Sequence, residues 1–398
     1  MAVAQEWLLE GAKGLGKLFL NPILYYVFFM AAVMGVARVK RERRNFHVRA
    51  ENAYFELRQL LPLGLLTGLG GSVVAVAAGL VIPLETILFT ALVTLLLSFT
   101  TKMRLLSPAY TLGLAFFVTI FAMEQGWKLP SFLSSSSHTE ETLFPAIAVL
   151  LALLLIVEGI LILFNGRKGT SPKLIKGKRG KMVGIHEVKR LWLVPLFLII
   201  PGEALTAPFS WWPTFSIGSG TYSLIAVPFA IGFSQQIQGL LPVEAVKRVG
   251  KGVLLLGIMI AMLSAVGYWY PLATIVVITI AIIGRETITL RNRLREDNLP
   301  FFFSNRNHGV MILGILPDSP AKNMGLQVGE LITKVNGIPV TGQESFYEAL
   351  LKNRAHCKLE VLDVNGEIRF VQRALFEGDH HELGILFVQE ERHAGEAV

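Results

Sequence analysis

Two short β-strands joined by a tight turn are predicted by one segment near the C-terminus, Val328-Gly-Glu-Leu-Ile-Thr-Lys-Val-Asn-Gly-Ile-Pro-Val340. Its Asn-Gly pair favours the left-handed conformations of a two-residue hairpin turn. A β-rich run over 309–316 precedes it, followed by a Ser-Pro-Ala turn that caps a short helix ending at Gly325. A second helix is predicted from Thr341, with Glu344 completing a capping box. A hairpin over 358–373 closes an α+β domain at 307–392.

The order of these motifs resembles the PDZ family. The resemblance rests on the combination of Ser-Pro-Ala, the glycine-ended helix, Gly-Glu-Leu-Ile and Val-Asn-Gly at these spacings. It implies a groove between a strand edge and a helix, in which a partner peptide adds a strand. The predicted groove strand is Val310, Met311, Ile312 and Leu313, and the facing helix contributes Ser345, Phe346 and Leu350.

One feature departs from the family pattern. A Gly-Leu-Gly-Phe-like loop normally precedes the groove strand and binds a carboxylate, but this place is occupied by Leu299-Pro300-Phe301-Phe302-Phe303. A better match, Leu383-Gly384-Ile385, lies at the C-terminal end, the position expected in a circularly permuted bacterial PDZ domain. Binding of a free C-terminus and binding of an internal segment are both left open.

The rest of the chain has the composition of a membrane protein. Of its 398 residues, 53% are hydrophobic, and long apolar runs recur between Leu18 and Ile283. We predict a membrane domain at 1–284, a basic link at 285–306 and the PDZ domain at 307–392. The predicted helical spans are Leu18–Val36, Leu60–Ile82, Leu84–Thr100, Leu105–Met123, Leu143–Phe164, a proline-interrupted span from Leu191–Pro201, and Tyr222–Leu241.

The last apolar run, Val253–Ile283, is too long for one span and short for two. We predict a hairpin, because Arg285, Arg291, Arg293 and Arg295 follow it and such a cluster favours the cytoplasmic side. The fold class is therefore a polytopic α-helical membrane protein with about seven to nine transmembrane helices and a C-terminal cytoplasmic PDZ domain. The net charge of +8 is explained by basic loops between spans, so a nucleic acid is not an expected partner.

No catalytic, metal or cofactor site is predicted. His186-Glu187 begins like a zinc-protease motif, but Arg190 stands where the second histidine is needed. None of the eight histidines lies in a span, so Ser219 has no intramembrane base. Glu158 lies deep in a predicted span, and no basic partner for it is expected within any span. A PDZ-regulated membrane protease or transporter remains the alternative.

The whole chain resembles a family of polytopic, PDZ-containing determinants of division-site selection in Gram-positive rods. The resemblance rests on topology: a first span ended by Arg-Val-Lys-Arg-Glu-Arg-Arg, several further spans, and a terminal PDZ domain after an arginine-rich link. It implies a non-enzymatic scaffold at the septum and cell poles. Its implied partners are the polar scaffold DivIVA, MinD with the FtsZ inhibitor MinC, further divisome membrane proteins and the lipid bilayer.

Overall fold

The structure, a computed structural model, describes residues 2–126, 140–177, 180–206, 211–216, 220–353, 356–374 and 383–388. The bundle begins with seven helices: α1 (Ala2–Leu20), α2 (Pro22–Phe46), α3 (Phe55–Leu60), α4 (Pro62–Ala77), α5 (Leu84–Ser98), α6 (Pro108–Glu124) and α7 (Glu140–Phe164). Three strands follow: β1 (Ser171–Lys176), β2 (Met182–Thr206) and β3 (Thr221–Ile237). The bundle ends with α8 (Pro242–Ser264), α9 (Val266–Trp269) and α10 (Ala273–Asn298).

Several helices are long and apolar enough to cross a bilayer. Within the described residues there are five such segments: Pro22–Phe46, Phe55–Ala77, Glu141–Phe164, Pro242–Trp269 and Ala273–Asn298. The helices α5 and α6 are apolar but have 15 and 17 residues, short of the roughly 20 that a bilayer needs. Asn21 fixes the start of α2, because its side chain accepts a hydrogen bond from Ile23 N at 3.0 Å just before the helix.

Two of the predicted helical spans are wrong. The segments 191–201 and 222–241 belong mainly to β2 and β3, which pair antiparallel from His186 opposite Ile237 to Thr206 opposite Thr221. The physical reason is local: prolines at 195, 201 and 228 would interrupt a helix, and the surrounding β-branched and aromatic residues suit strands. A buried strand and a buried helix cannot be distinguished by apolarity alone.

Helix α4 and the segment that follows it cover the free edge of β2. The glycines Gly64, Gly68 and Gly71 of α4 bring that helix against β2. Ser72 Oγ accepts a hydrogen bond from Phe197 N at 2.8 Å, and Ile82 N donates to Ile199 O at 2.9 Å. An open sheet edge is tolerated in hydrocarbon only where protein encloses it, and these contacts supply the enclosure.

The last apolar run folds into two separate helices, as the predicted hairpin requires. Helices α8 and α10 are separated by α9 and a short turn around Tyr270. Helix α10 continues unbroken to Asn298, so the boundary predicted at residue 284 falls inside a helix. The chain then enters the C-terminal domain through residues 299–306.

Glu158 has a basic partner, which corrects the sequence expectation. Its Oε1 accepts hydrogen bonds from Arg285 Nη2 at 2.9 Å and Nε at 3.1 Å, and its Oε2 accepts one from Ser107 Oγ at 2.5 Å. Glu158 is fully buried and Arg285 is 1% exposed. The partner was missed because it comes from α10, more than a hundred residues away in sequence. The ion pair joins α7 to α10, and the serine bond adds the start of α6.

The C-terminal domain is a small α+β unit. Its elements are β4 (Val310–Met311), β5 (Gly314–Ile315), α11 (Pro320–Asn323), β6 (Leu331–Val335), β7 (Ile338–Pro339), α12 (Gln343–Leu351), β8 (His356–Leu362), β9 (Ile368–Ala374) and β10 (Ile385–Leu386). One sheet has the order β4-β6-β8-β9, with β7 paired to β6, and β10 pairs with β5. Positive φ angles at Asn336 and Gly337 form the predicted turn after β6.

Candidate peptide-binding site

The strand predicted to receive a peptide has no open edge. Val310 pairs with Ile332 and Met311 with Leu331, and Ile312 N donates to Glu330 O at 2.9 Å. On the opposite edge, Leu313 N donates to Leu386 O and Leu316 N to Gly384 O, both at 2.8 Å. The assignment of 310–313 as the groove strand is therefore wrong, because neighbouring strands already use its backbone groups. The side chains of all four residues are at most 4% exposed.

Within the described residues, β10 pairs only with β5, so its other edge has no strand partner there; the side chains of Ile385 and Phe387 on that edge are 5% and 2% exposed. Gly384 and Leu386 direct their backbone groups towards β5. Because backbone direction alternates along a strand, Ile385 and Phe387 direct theirs to the opposite edge. The preceding Gly384 has φ +77°, and a Cβ there would lie 2.3 Å from Ser319 Cβ, so any side chain at this position would have to displace Ser319. The predicted loop Leu383-Gly384-Ile385 thus lies directly at the start of this edge.

Helix α12 packs beside the same strand. The ring of Phe387 contacts Phe346 at 5.0 Å and Tyr347 at 6.5 Å between centroids. Phe346 and Leu350 are fully buried core residues, so they support the groove from beneath. Of the helix side chains named here, half-buried Tyr347 is the one at the rim. Neither Tyr347 nor Phe387 was selected from the sequence, because the groove strand had been assigned to the wrong segment.

Ser345 has a structural role rather than a groove position. Its Oγ accepts hydrogen bonds from Gly342 N at 3.0 Å and Thr341 N at 3.1 Å, and donates to Gly342 O at 2.9 Å. The helix therefore begins at Gln343 with Gly342 as its cap, one residue later than the Thr341 cap predicted. Ser345 takes the place in the capping box that the prediction gave to Glu344.

The PDZ domain is docked on one end of the bundle. A buried apolar cluster combines Leu313, Leu386 and Val388 of the domain with Phe46 and Phe303, which lie at the end of α2 and in the link. Gly184 N donates to Phe303 O at 2.8 Å. His186 Nε2 donates to Leu313 O at 2.9 Å, and its Nδ1 lies 3.0 Å from Thr170 Oγ1. The zinc-protease-like start at His186-Glu187 is therefore a strand that contacts the domain.

The docking interface is expected to weaken in acid. Complete burial lowers the pKa of His186 to about 4, below its usual value of about 6.5. The docked state therefore excludes a proton that the free imidazole binds, so the contribution of His186 to docking is fully present above pH 6.5 and is lost as the pH falls from 6.5 towards 4. Energy transfer between dyes on engineered cysteines at exposed Lys251 and Lys352 would report the separation.

The variant His186→Gln is the control for this titration. Its amide still donates to the Leu313 carbonyl but does not titrate in this range. Its pH response between 6.5 and 4 should be much flatter than that of the wild type. The same acid response in both proteins would contradict the role of His186.

A basic cluster lies on the face of the β1–β2 pair opposite to the one that contacts the domain. We define it as Arg41 and Arg44 of α2, Lys173 of β1 and Lys189 of β2. Arg41 forms an ion pair with Glu187, and Lys189 Nζ lies 3.3 Å from the same carboxylate. Desolvation, and then repulsion from Arg41, Lys189 and Arg44, lowers the pKa of Lys173. Positive charge therefore exceeds negative charge at this surface.

The other candidate sites from the sequence are the zinc-protease-like motif, a metal site and Ser219. Arg190, at the position of the missing zinc ligand, is 2% exposed and stacks on the Phe55 ring at 4.7 Å. In the part of the chain that the structure describes, no group of three or more His, Cys, Asp or Glu side chains is arranged to hold a metal. Ser219 lies outside the described residues.

The fold and the groove define a class of protein: a bundle with several bilayer-length helices that carries one PDZ domain. A PDZ domain model matches residues 311–363. Over 388 residues the chain is 40% identical to the cell division topological determinant MinJ of Bacillus subtilis strain 168, covering 97% of both chains. It is 26% identical over 385 residues to a probable MinJ of Lacticaseibacillus paracasei, covering 94% of this chain and 98% of the relative. The chain belongs to the MinJ family of cell division topological determinants.

A shorter similarity concerns a protease. The chain is 30% identical over 93 residues to the mitochondrial serine protease HTRA2 of Drosophila ananassae, covering 23% of this chain and 21% of that protein. This match is too short in both chains to carry catalytic activity over to this one.

Proposed function

We propose that this protein is a membrane scaffold of division-site selection, which links the polar and septal scaffold DivIVA to MinD. The observation that carries the proposal is a PDZ domain whose β10 edge, at Ile385 and Phe387, pairs with no strand among the described residues, held on an apolar helical bundle in a chain of the MinJ family. The bundle acts as the anchor and the groove as a docking site. The protein has no catalytic role in this proposal.

The PDZ domain faces the cytoplasm in this proposal. Helices α2 and α10 end in basic residues, among them Arg43, Arg44 and Arg295, close to the chain segments that contact the domain. Basic residues favour the cytoplasmic side of a membrane helix. MinD, carrying MinC, would then be concentrated at poles and septa, and inhibition of FtsZ assembly would follow from local concentration.

The variant Tyr347→Lys is expected to abolish peptide capture without unfolding the domain. It places a charge at the rim of the proposed groove, opposite Phe387. Fluorescent MinD should lose its polar and septal enrichment by about fivefold or more, as expected for loss of one interface hot spot. Membrane abundance of the variant, measured by immunoblot, checks folding.

The matched control is Ile368→Lys. Ile368 is 61% exposed on β9, at the far edge of the sheet from the groove. MinD should remain focused in this variant. Normal MinD placement in Tyr347→Lys, or equal loss in both variants, would contradict the groove as the relevant site.

Removal of residues 307–398 should also delocalise MinD and produce filaments or minicells. This deletion is the coarser test, because it uncovers the apolar docking residues Phe46 and Phe303 on the bundle. Normal MinD placement after the deletion would overturn the proposed role of the domain. Direct binding of MinD and of DivIVA should be measured separately with the full chain in lipid nanodiscs.

A further inference from the structure

An apolar cleft opens on the helical bundle between α4, α7 and α8. We call it the bundle cleft; its volume is about 430 Å³, within the range of small-ligand sites. Its floor is one face of α7, formed by Val149, Leu153 and Ile156. These three residues are half-buried, whereas most of α7 is fully buried. The described part of the chain therefore leaves this stripe of α7 uncovered.

The walls of the bundle cleft come from the helices on either side of α7. Val74 of α4, which is 54% exposed, forms one wall, and Ala261 and Ala265 belong to the other. Alanine at 261 and 265 keeps the cleft open, because a longer side chain on this face would fill it. Ser264, on the same wall, donates its hydroxyl hydrogen bond to Ala261 O at 2.7 Å, so it offers little to a polar ligand.

Three aromatic rings border one end of the bundle cleft. Tyr268 contacts Phe215 at 6.4 Å and Trp269 at 5.8 Å between centroids. Tyr268 and Trp269 lie before the turn into α10, at the end of that helix opposite the one that leads to the PDZ domain. Tyrosine and tryptophan are typical of the headgroup level of a bilayer. The cleft therefore begins at the headgroups and extends into the hydrocarbon of the leaflet opposite the domain.

The dimensions of the bundle cleft favour a narrow occupant. From Trp269 to Ala261 the helix axis advances by about 12 Å, which is most of the roughly 15 Å depth of one leaflet. Spread over that length, the volume corresponds to a width of roughly 6 to 7 Å, less than the ~10 Å diameter of a helix. A hydrocarbon chain fits this width, since its carbons pack about 4 Å from their neighbours.

We propose that the bundle cleft binds one acyl chain of a phospholipid, whose headgroup lies beyond the aromatic rim. The inference rests on the membrane anchoring proposed above and is independent of the peptide groove. Hydrocarbon contains no water to fill the cleft, and an empty cleft would forfeit the dispersion contacts of its lining. None of the described residues that line it carries a charge, so the carboxylate of a free fatty acid would find no counter-ion there.

The experiment uses the full chain reconstituted with phosphatidylglycerol that carries a diazirine in the middle of one acyl chain. The protein is transferred to detergent without the probe and is then irradiated. Loosely held lipid leaves in detergent, whereas a chain in the cleft stays. Peptide mass spectrometry should find about tenfold more label on 149–156 and 261–269 than on the exposed Leu92 and Leu96 of α5. Phosphatidylcholine with the same diazirine should give the same result, because the lining is uncharged.

Three phenylalanine variants separate the bundle cleft from general lipid contact. Val149→Phe fills the cleft from its floor and Ala265→Phe from its wall, so each should reduce labelling of the cleft about tenfold. Val266→Phe is the matched control, since Val266 is 43% exposed and does not line the cleft. It should be labelled like the wild type. Equal labelling of the cleft in all three variants, with unfolding temperatures in detergent like that of the wild type, would overturn the proposal.

The remaining outcomes identify other occupants. Label on α5 as strong as on α7 would show only the lipid that surrounds any membrane protein, and the proposal would fail. It would also fail if the probe is lost and the chain forms a dimer that Val149→Phe dissociates, because a second copy then covers the cleft. Retention of a diazirine fatty acid but not of the phospholipid would overturn it as well. Recovery of the chain in the soluble fraction of cells would instead contradict the membrane anchor.

Discussion

Replacement of Gly64 by alanine is expected to destabilise the bundle by about 3 kcal/mol. A Cβ at this position would overlap the carbonyl oxygen of Leu193 on β2, which is backbone and has little room to move. Gly68 has the same relation to the Pro195 carbonyl. The substitution should lower the unfolding temperature in detergent and the yield of folded protein in the membrane.

Gly70 provides the matched control on the same helix. A Cβ there meets nothing within 4 Å. Gly70→Ala should leave the unfolding temperature unchanged or slightly raised, since alanine favours helix over glycine. If Gly64→Ala were as stable as Gly70→Ala, the close approach of α4 to β2 would be wrong, and the enclosed hairpin would lose its main support.

Replacement of Glu158 by leucine should destabilise the protein by about 3 to 5 kcal/mol, because it leaves Arg285 buried without its counter-charge. Arg285 is 1% exposed and bonds Glu158 through two of its nitrogens. Glu158→Gln should have a smaller effect of the same sign. Unfolding in detergent, followed by tryptophan fluorescence, would measure both.

The double variant Glu158→Leu with Arg285→Met should recover most of the loss, because a buried ion pair can be replaced by apolar residues at little net cost. It also separates two functions. An ion-coupled carrier that needs Glu158 would stay inactive in the double variant, whereas a scaffold would place MinD normally. No recovery of stability would contradict the assignment of Arg285 as the partner. Because Glu158→Gln disturbs either kind of protein, it does not separate them.

The PDZ motifs could be predicted from the sequence because they are local. Ser319 caps α11 by accepting a hydrogen bond from Lys322 N at 3.3 Å, and Asn336 and Gly337 have the positive φ angles of their turn. The groove could not be predicted in the same way. Its strand comes from the end of the chain, and its pairing with 313–316 becomes visible only when the domain is folded.

The apolar segments also have local features that the sequence predicts and tertiary contacts that only the folded structure shows. Regular helices such as α7 are predicted by length and apolarity, but β2 and β3 have similar composition and differ in pairing. Their partner strands and the glycine face of α4 are tertiary features. The basic partner of Glu158 was also invisible, since Arg285 lies on another helix.

By itself, therefore, the sequence determined a helical bundle with a terminal PDZ domain, because turns, caps and apolar runs act over a few residues. Tertiary structure decided which strand edge is available, which buried charges pair, and how the domain docks on the bundle. Val388 illustrates the reason: whether it borders solvent or buried protein depends on Phe46 and Leu174, more than two hundred residues away in sequence.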